Sequence, residues 1–354
     1  MRTIATETWF TFTLIFEGIA LAGSLGLLFG RAAWLRWETR WLEPKYQAAR
    51  GFLLQALEAD TDQREDLEAV TALPLRAQIK LMTDLGENLS GSKLQELANI
   101  AKQSGILTHG ERLCRSRWWS QRVRGIRLFT AMAEGEQILP SLFHDPSPLI
   151  RSELAHWAAD HPSPEMIDAV LRLLDDADGF CRFAAHNALV RMGSIVTEPL
   201  ARHIESRTGV ALEHAMAVAA SLGHERFNDP ARARLNHADP TIRTLAIATL
   251  GKSGGLRFVP ELLDCLNDPA AHVRQAAAHA LGRLKCWQAS PAVARLLEDS
   301  VWTVRQEAAL TLRSLGAPGI LLLRQSLSNP DRFAGDMARH ILGLPRIRVK
   351  GEAA

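Results

Sequence analysis

The stretch Asp268–Leu284, DPAAHVRQAAAHALGRL, returns in altered form along most of the chain, and that recurrence limits the fold more than any other feature. Asp268 offers a carboxylate to the free N–H groups of a helix start, and Pro269 suits a first turn. Val273, Ala277, Ala280, Leu281 and Leu284 follow at helical spacing as one apolar stripe, and its alanines let a neighbouring helix come close. With Arg274 as the reference, equivalent positions hold Arg124, Arg151, Arg182, Ala215, Arg243, Arg305 and Gly335, a period of about 31 residues. Ala185, Ala246, Ala308 and Ala338 stand in the place of Ala277, and Leu189, Leu222, Leu250, Leu312 and Leu342 in that of Leu281. A second apolar pattern lies between these helices, as in PEMIDAVLRLL at 164–174, PELLDCL at 260–266 and PAVARLL at 291–297. Each unit is therefore a helical hairpin that cannot bury its apolar face alone. Stacked copies bury one another, which makes an α-solenoid of about eight hairpins.

The pattern D-P-x-x-x-V-R-x-x-A-x-x-A-L-G, fullest at 268–282 and close behind at 299–316 and 239–251, resembles the HEAT-like repeats of the phycobilisome-lyase type. The resemblance covers residues 115–345 and implies the all-α solenoid; such repeats serve lyases, hydroxylases and adaptors alike. The unit around Ala215 lacks the arginine, and the unit around Gly335 lacks arginine and valine, as a terminal cap would. The recurring charges read as a structural ladder in which the arginines Arg151, Arg182, Arg243, Arg274 and Arg305 pair with helix-start aspartates, Asp145, Asp176, Asp239, Asp268 and Asp299.

Enzymatic chemistry finds little support in the residues themselves. Deoxyhypusine hydroxylase, whose repeats resemble these, holds iron through several His-Glu pairs, whereas this chain has His224-Glu225, a reversed Glu213-His214, and Gln306-Glu307 where a histidine is missing. His156, His279 and His340 share one repeat position and His186 falls one earlier. Neighbours in such a row stand about 10 Å or more apart along the stack, too far to share a metal. There is no P-loop, GxSxG element, HExxH or dinucleotide fingerprint. The expectation is a non-enzymatic scaffold without metal or cofactor; an enzyme or enzyme subunit of the HEAT-like lyase or hydroxylase type is the alternative. The inner face, from positions one, four and five after the reference arginine, carries Gln275, Ala278 and His279, then Gln306, Ala309 and Leu310, then Thr244, Ile247 and Ala248. With His186 and His340 added, Gln275, His279 and Gln306 form the candidate surface for a cytoplasmic protein partner.

Residues 9–30, WFTFTLIFEGIALAGSLGLLFG, are expected to form one transmembrane helix after a short tail at 1–8; this length of helix spans roughly 33 Å. Arg31, Arg36, Arg40, Lys45 and Arg50 follow it, which places the N-terminus outside and the solenoid in the cytoplasm of an inner (plasma) membrane. Trp9, Trp34, Trp37 and Trp41 read as interfacial anchors. A cleaved signal peptide ending at Ala20-Leu21-Ala22 is the competing reading. Gly18, Ala22, Gly26 and Gly30 fall four apart and suit close contact with a partner helix, and Glu17, with Thr13 and Ser24 on its side, favours a membrane protein partner over a passive anchor.

Residues 31–110 read as three or four helices, either degenerate cap repeats or a separate small domain, with a break near Asp60-Thr61-Asp62. The solenoid is assigned to 111–345 and a basic tail with Arg346, Arg348 and Lys350 to 346–354. A net charge of +2 supplies no global field for nucleic acid, so anion binding needs a local patch. Arg115, Arg117, Trp118, Trp119, Arg122, Arg124 and Arg127 offer one: anionic lipid is favoured over nucleic acid, against a reading in which the tryptophans fill the core of the first repeat. The four cysteines form no CxxC pair, and Cys181, in a stripe-valine position, reads as a small buried residue.

Overall fold

The computed structural model describes residues 2–58, 68–253 and 255–344. Among these every regular element is helical. The chain divides into two compact units, Met1–Ile138 and Leu139–Ala354. Asp60, Thr61 and Asp62, and the basic tail with Arg346, Arg348 and Lys350, lie outside the described residues.

In the first unit, α1 runs unbroken from Arg2 to Glu58, through Pro44. It is followed by α2 (Glu68–Thr71), α3 (Leu75–Gly86), α4 (Ser92–Gln103), α5 (Ile106–Cys114) and α6 (Trp119–Ala131). The far end of α1 buries Tyr46, Ala49, Leu53 and Leu57, and the Tyr46 hydroxyl donates to Asp84 at 2.6 Å. Among the described residues no helix is long and apolar enough to cross a membrane, so the transmembrane helix expected over 9–30 is not found. Only part of that stretch is covered, since side chains at 2–15 and at 27 lie outside those described, and α1 passes through residue 30 without a break. The side chains of Trp9, Thr13, Trp34 and Trp37 lie outside those described. Glu17 and Ala22 are exposed, and nothing lies within 4 Å of a β-carbon placed at Gly18, Gly26 or Gly30.

The second unit alternates longer and shorter helices. The longer ones are α7 (Pro148–Asp160), α9 (Gly179–Met192), α11 (Gly209–Leu222), α13 (Pro240–Ser253), α15 (Ala271–Arg283), α17 (Trp302–Ser314) and α19 (Arg332–Gly343). Between them come α8 (Pro164–Leu173), α10 (Thr197–Ser206), α12 (Asn228–Arg232), α14 (Val259–Asp264), α16 (Ser290–Arg295) and α18 (Ala317–Gln325). Each longer helix packs on the next longer one, and the shorter helices form the second layer. This is the α-solenoid that the repeat period implies. The stripe residues Val273, Ala277 and Leu281 are fully buried, as are Ile242, Ala246 and Leu250 one repeat earlier. Small residues set how closely the layers approach. A β-carbon on Gly251 of α13 would sit 2.6 Å from that of Ala280 on α15, closer than packed atoms tolerate. Cys181 is fully buried, its thiol donating to the Pro148 carbonyl at 3.0 Å, and burial pushes its pKa up to about 11.

Charged clasps join successive repeats. Arg151 grips both oxygens of Asp176 at 2.7 and 2.8 Å. Arg243 holds Asp268 at 2.8 Å through each nitrogen, and Arg274 holds Asp299 at 2.7 and 2.8 Å. The same aspartates accept from the N–H two residues on, Asp178, Ala270 and Val301 respectively, which fixes the turn into each longer helix. The remaining Nη1 of each arginine donates to the carbonyl six residues back, Asp145, His237 and Asp268. Arg182 has the backbone bonds, to Asp176 and Ala177, without a carboxylate partner among the described residues, because Arg207 stands where the next aspartate would be. Arg207 pairs instead with Asp175 at 3.2 Å. Asp239 accepts from Thr241 but faces no reference arginine, since the preceding repeat carries Ala215 there. Arg305 donates to the Asp299 carbonyl and stacks over Phe333 at 5.1 Å.

Two predictions follow from this packing. Gly251→Ala forces α13 and α15 apart and costs about 1–3 kcal/mol, read as a lower urea midpoint; an unchanged midpoint would refute the close approach. The hydrogen bond from Arg151 holds Asp176 below the usual carboxylate range. At Asp268 and Asp299 burial acts upward, but the bonds from arginine and backbone outweigh it and the net shift is again downward. These carboxylates therefore stabilise the fold fully above the unfolded-state pKa of about 4 and lose that contribution as pH falls towards their lower native values. Urea midpoints measured from pH 6 down to about pH 3 should fall, and should fall less steeply in Asp176→Asn/Asp268→Asn/Asp299→Asn.

Candidate functional site

The longer helices from α9 to α17 line a groove of about 720 Å³. Its floor is made of small side chains: Ala217 and Ala220 from α11, Ala248 from α13, and Ala276 and Ala280 from α15. Alanine at these places shortens the side-chain layer and leaves a hollow where larger residues would fill it. Polar groups rim the hollow. His186 projects from α9 and Ser221 from the end of α11; His272, Gln275, His279 and Arg283 come from α15, Lys252 from α13 and Glu307 from α17.

The rim is organised by hydrogen bonds between repeats. Ser221 Oγ lies 3.2 Å from His186 Nε2, and His279 Nδ1 lies 2.9 Å from Glu307 Oε1. The Lys252 ammonium donates to the Ser221 carbonyl, tying α13 to the C-terminal end of α11. Burial lowers the His186 pKa, which favours the neutral ring near neutral pH. Glu307 is the single carboxylate of the lining, set against Lys252 and Arg283, so the groove favours an anionic ligand.

The structure brings His186, Gln275 and His279 into this groove; Gln306 and His340 do not line it. Position four after the reference arginine faces it only in the α9 repeat, through His186. Ile247, Ala278 and Ala309 are fully buried between helices, and the groove takes positions one, two and five instead. Ser221, Lys252, His272 and Arg283 carry no role in the sequence reading, and Glu307 enters it only beside Gln306 in the slot where a histidine is missing. One signal was there: Lys252 and Arg283 both stand nine residues after the reference position. Trp118 and Trp119 are both more than half exposed, which overturns the reading that they fill the core of a repeat. Arg122 bends back onto the carbonyls of Ser116 and Arg117 at 2.9 and 3.0 Å, while Arg115, Arg117, Arg124 and Arg127 are exposed. Among the described residues no three His, Cys, Asp or Glu side chains gather as a metal site.

Residues 197–278 and 259–339 match the family of HEAT repeats. A relative from Nostoc sp. (strain PCC 7120), phycocyanobilin lyase subunit alpha, is 34% identical over 125 residues, 31% of this chain and 45% of that protein. The chain thus spans about half the length of the curated relative it matches. The solved structure of Kap121p bound to Nup53p resembles this one with a TM-score of 0.53 at 14% identity, covering 78% of this chain and 38% of that one, and speaks to the fold alone. The CpcE–CpcF complex of phycocyanin lyase from Nostoc sp. PCC7120 superposes with a TM-score of 0.37 at 16% identity over 58% of this chain and 92% of that one. The kinship with the lyase subunit corrects the expectation of a non-enzymatic chain, because it points to a lyase-type enzyme family.

The buried environment of His186 yields a direct test. In a histidine NMR titration its ring should titrate below the ordinary value of 6.5, and a value at or above it would show the rim to be more solvated than the structure has it.

Proposed function

We propose that this chain is a HEAT-type subunit of a lyase-type enzyme and that the groove from α9 to α17 holds the ligand on which that enzyme acts. The observation that carries this reading is the groove itself: a small-residue floor with Lys252 and Arg283 at the C-terminal ends of α13 and α15. Its volume of about 720 Å³ lies within the range of small-molecule sites. A flat, largely apolar molecule with anionic substituents fits that distribution, and the named substrate of the Nostoc relative supplies the probe. The HEAT repeats also offer an extended surface to a protein partner, as befits a subunit.

Phycocyanobilin titrated into the full chain should give a saturable change in its visible absorption. Arg283→Gln/His279→Gln should bind about tenfold more weakly, equivalent to roughly 1.4 kcal/mol. Absence of saturable binding, or equal binding by the variant, would overturn the assignment of the groove.

The exposed apolar side chains Phe16, Ile19, Leu21, Leu25, Leu28 and Phe29 of α1 support a second part of the reading, attachment of the chain to the inner membrane. Recovery of the chain in the soluble fraction after cell lysis would count against it.

A further inference from the structure

The groove leaves one feature of the chain without a role: the turn between α5 and α6. These two helices pack as a hairpin, and residues 112–127 contain six arginines and no acidic residue. Trp118 and Trp119 are 55% and 53% exposed at its tip. The tip is held in shape from within. Ser116 Oγ accepts from the Trp118 N–H at 3.2 Å and lies 2.6 Å from Gln121 Oε1, while Arg122 closes on the carbonyls of Ser116 and Arg117. The guanidinium of Arg117 stacks 4.8 Å from the centre of the Trp118 ring. Arg112, Arg115 and Arg124 are exposed and make no ion pair among the described residues.

Two indoles held out in water are unfavourable unless a surface covers them, and indole favours the boundary between apolar chains and polar headgroups. Guanidinium groups match phosphate oxygens in a planar, two-point fashion. A layer of anionic phospholipid provides both environments at once: phosphates for the arginines and, a few ångströms deeper, a boundary region for the tryptophans. Nucleic acid provides the phosphates too, but it needs open aromatic faces for base stacking, and one face of Trp118 is already taken by Arg117. We propose that the α5–α6 tip, with Arg115, Arg117, Trp118 and Trp119 at its centre, docks on an anionic phospholipid surface.

The test is sedimentation of the full chain with phosphatidylcholine vesicles and with vesicles that also contain phosphatidylglycerol. Because α1 carries Arg31, Arg36 and Arg40 and can also respond to anionic lipid, the readout is the difference between wild type and tip variants in the gain from phosphatidylglycerol. Arg115→Gln/Arg117→Gln should reduce that gain by about thirtyfold, and raised salt should reduce it in the wild type. Trp118→Ser/Trp119→Ser should weaken binding by about tenfold, and Trp118→Phe/Trp119→Phe should restore most of it. Circular dichroism confirms that each variant is folded, as expected for side chains at an exposed tip. An unchanged gain in the arginine variant would overturn the proposal. So would displacement of the wild type from vesicles by a single-stranded RNA oligonucleotide whose binding depends on the same arginines.

Discussion

An arginine of one repeat gripping the aspartate that opens a helix of the next is the contact on which the second unit's regularity depends. Its geometry performs three tasks at once. Asp268 turns the chain into α15 by accepting from Ala270, receives both nitrogens of Arg243, and through its own carbonyl receives Arg274. One residue thus sets the local turn, the tie to the repeat before it and the anchoring of the arginine that reaches the repeat after it. The pair is largely shielded and bidentate, which places it among the stronger ion pairs rather than the loose surface kind. Apolar stacking supplies most of the stabilisation, but it does not set the distance between repeats; the clasp and the alanine contacts do.

This division of labour explains how a uniform scaffold acquires a site. The stripe positions are occupied the same way in repeat after repeat, because a larger residue at Ala277 or Ala246 would separate the helices. The positions that face outward from the longer helices carry no such demand. There the chain places alanine at 217, 220, 248 and 276 and polar groups around them, and a hollow results without any change to the stacking. Fold and site are therefore written at different positions of the same helix.

That separation also decides what could be read from the sequence. The period, the helical hairpin and the aspartate–arginine spacing are local and repeated, and they reappear in the structure as α13, α15 and α17. The surface was harder to phase. Position four looked like part of the inner face, yet Ala278 and Ala309 sit between helices, because the longer helices present a slightly rotated face to the groove. Trp118 and Trp119 carry the composition of a core and the exposure of a surface, and only tertiary placement distinguishes the two. At the N-terminus composition suggested a span, and among the described residues none is found. The kinship with a lyase subunit was visible as a repeat pattern, but such a pattern marks a scaffold and leaves the chemistry unspecified.

The clasps are not evenly distributed, and their gaps fall beside the site. Arg207 stands at the position where an aspartate would close the rung from Arg182 to α11, and Ala215 on α11 offers nothing to Asp239. Two consecutive rungs are missing, one on each side of α11. That helix is held by its buried Leu212, Met216, Val218 and Ala219, by the His214 ring against the Leu174 carbonyl at 2.8 Å, and by Lys252 at its C-terminal end. Ala217, Ala220 and Ser221 on the same helix form one wall of the groove. A helix held mainly by non-directional packing can shift against its neighbours at lower cost than one clamped by bidentate ion pairs, because sliding does not break a fixed hydrogen-bond geometry. The wall of the groove with the fewest rigid ties is thus the one that shifts at the lowest cost, while α13 and α15, clasped to each other and to α17, are held in place.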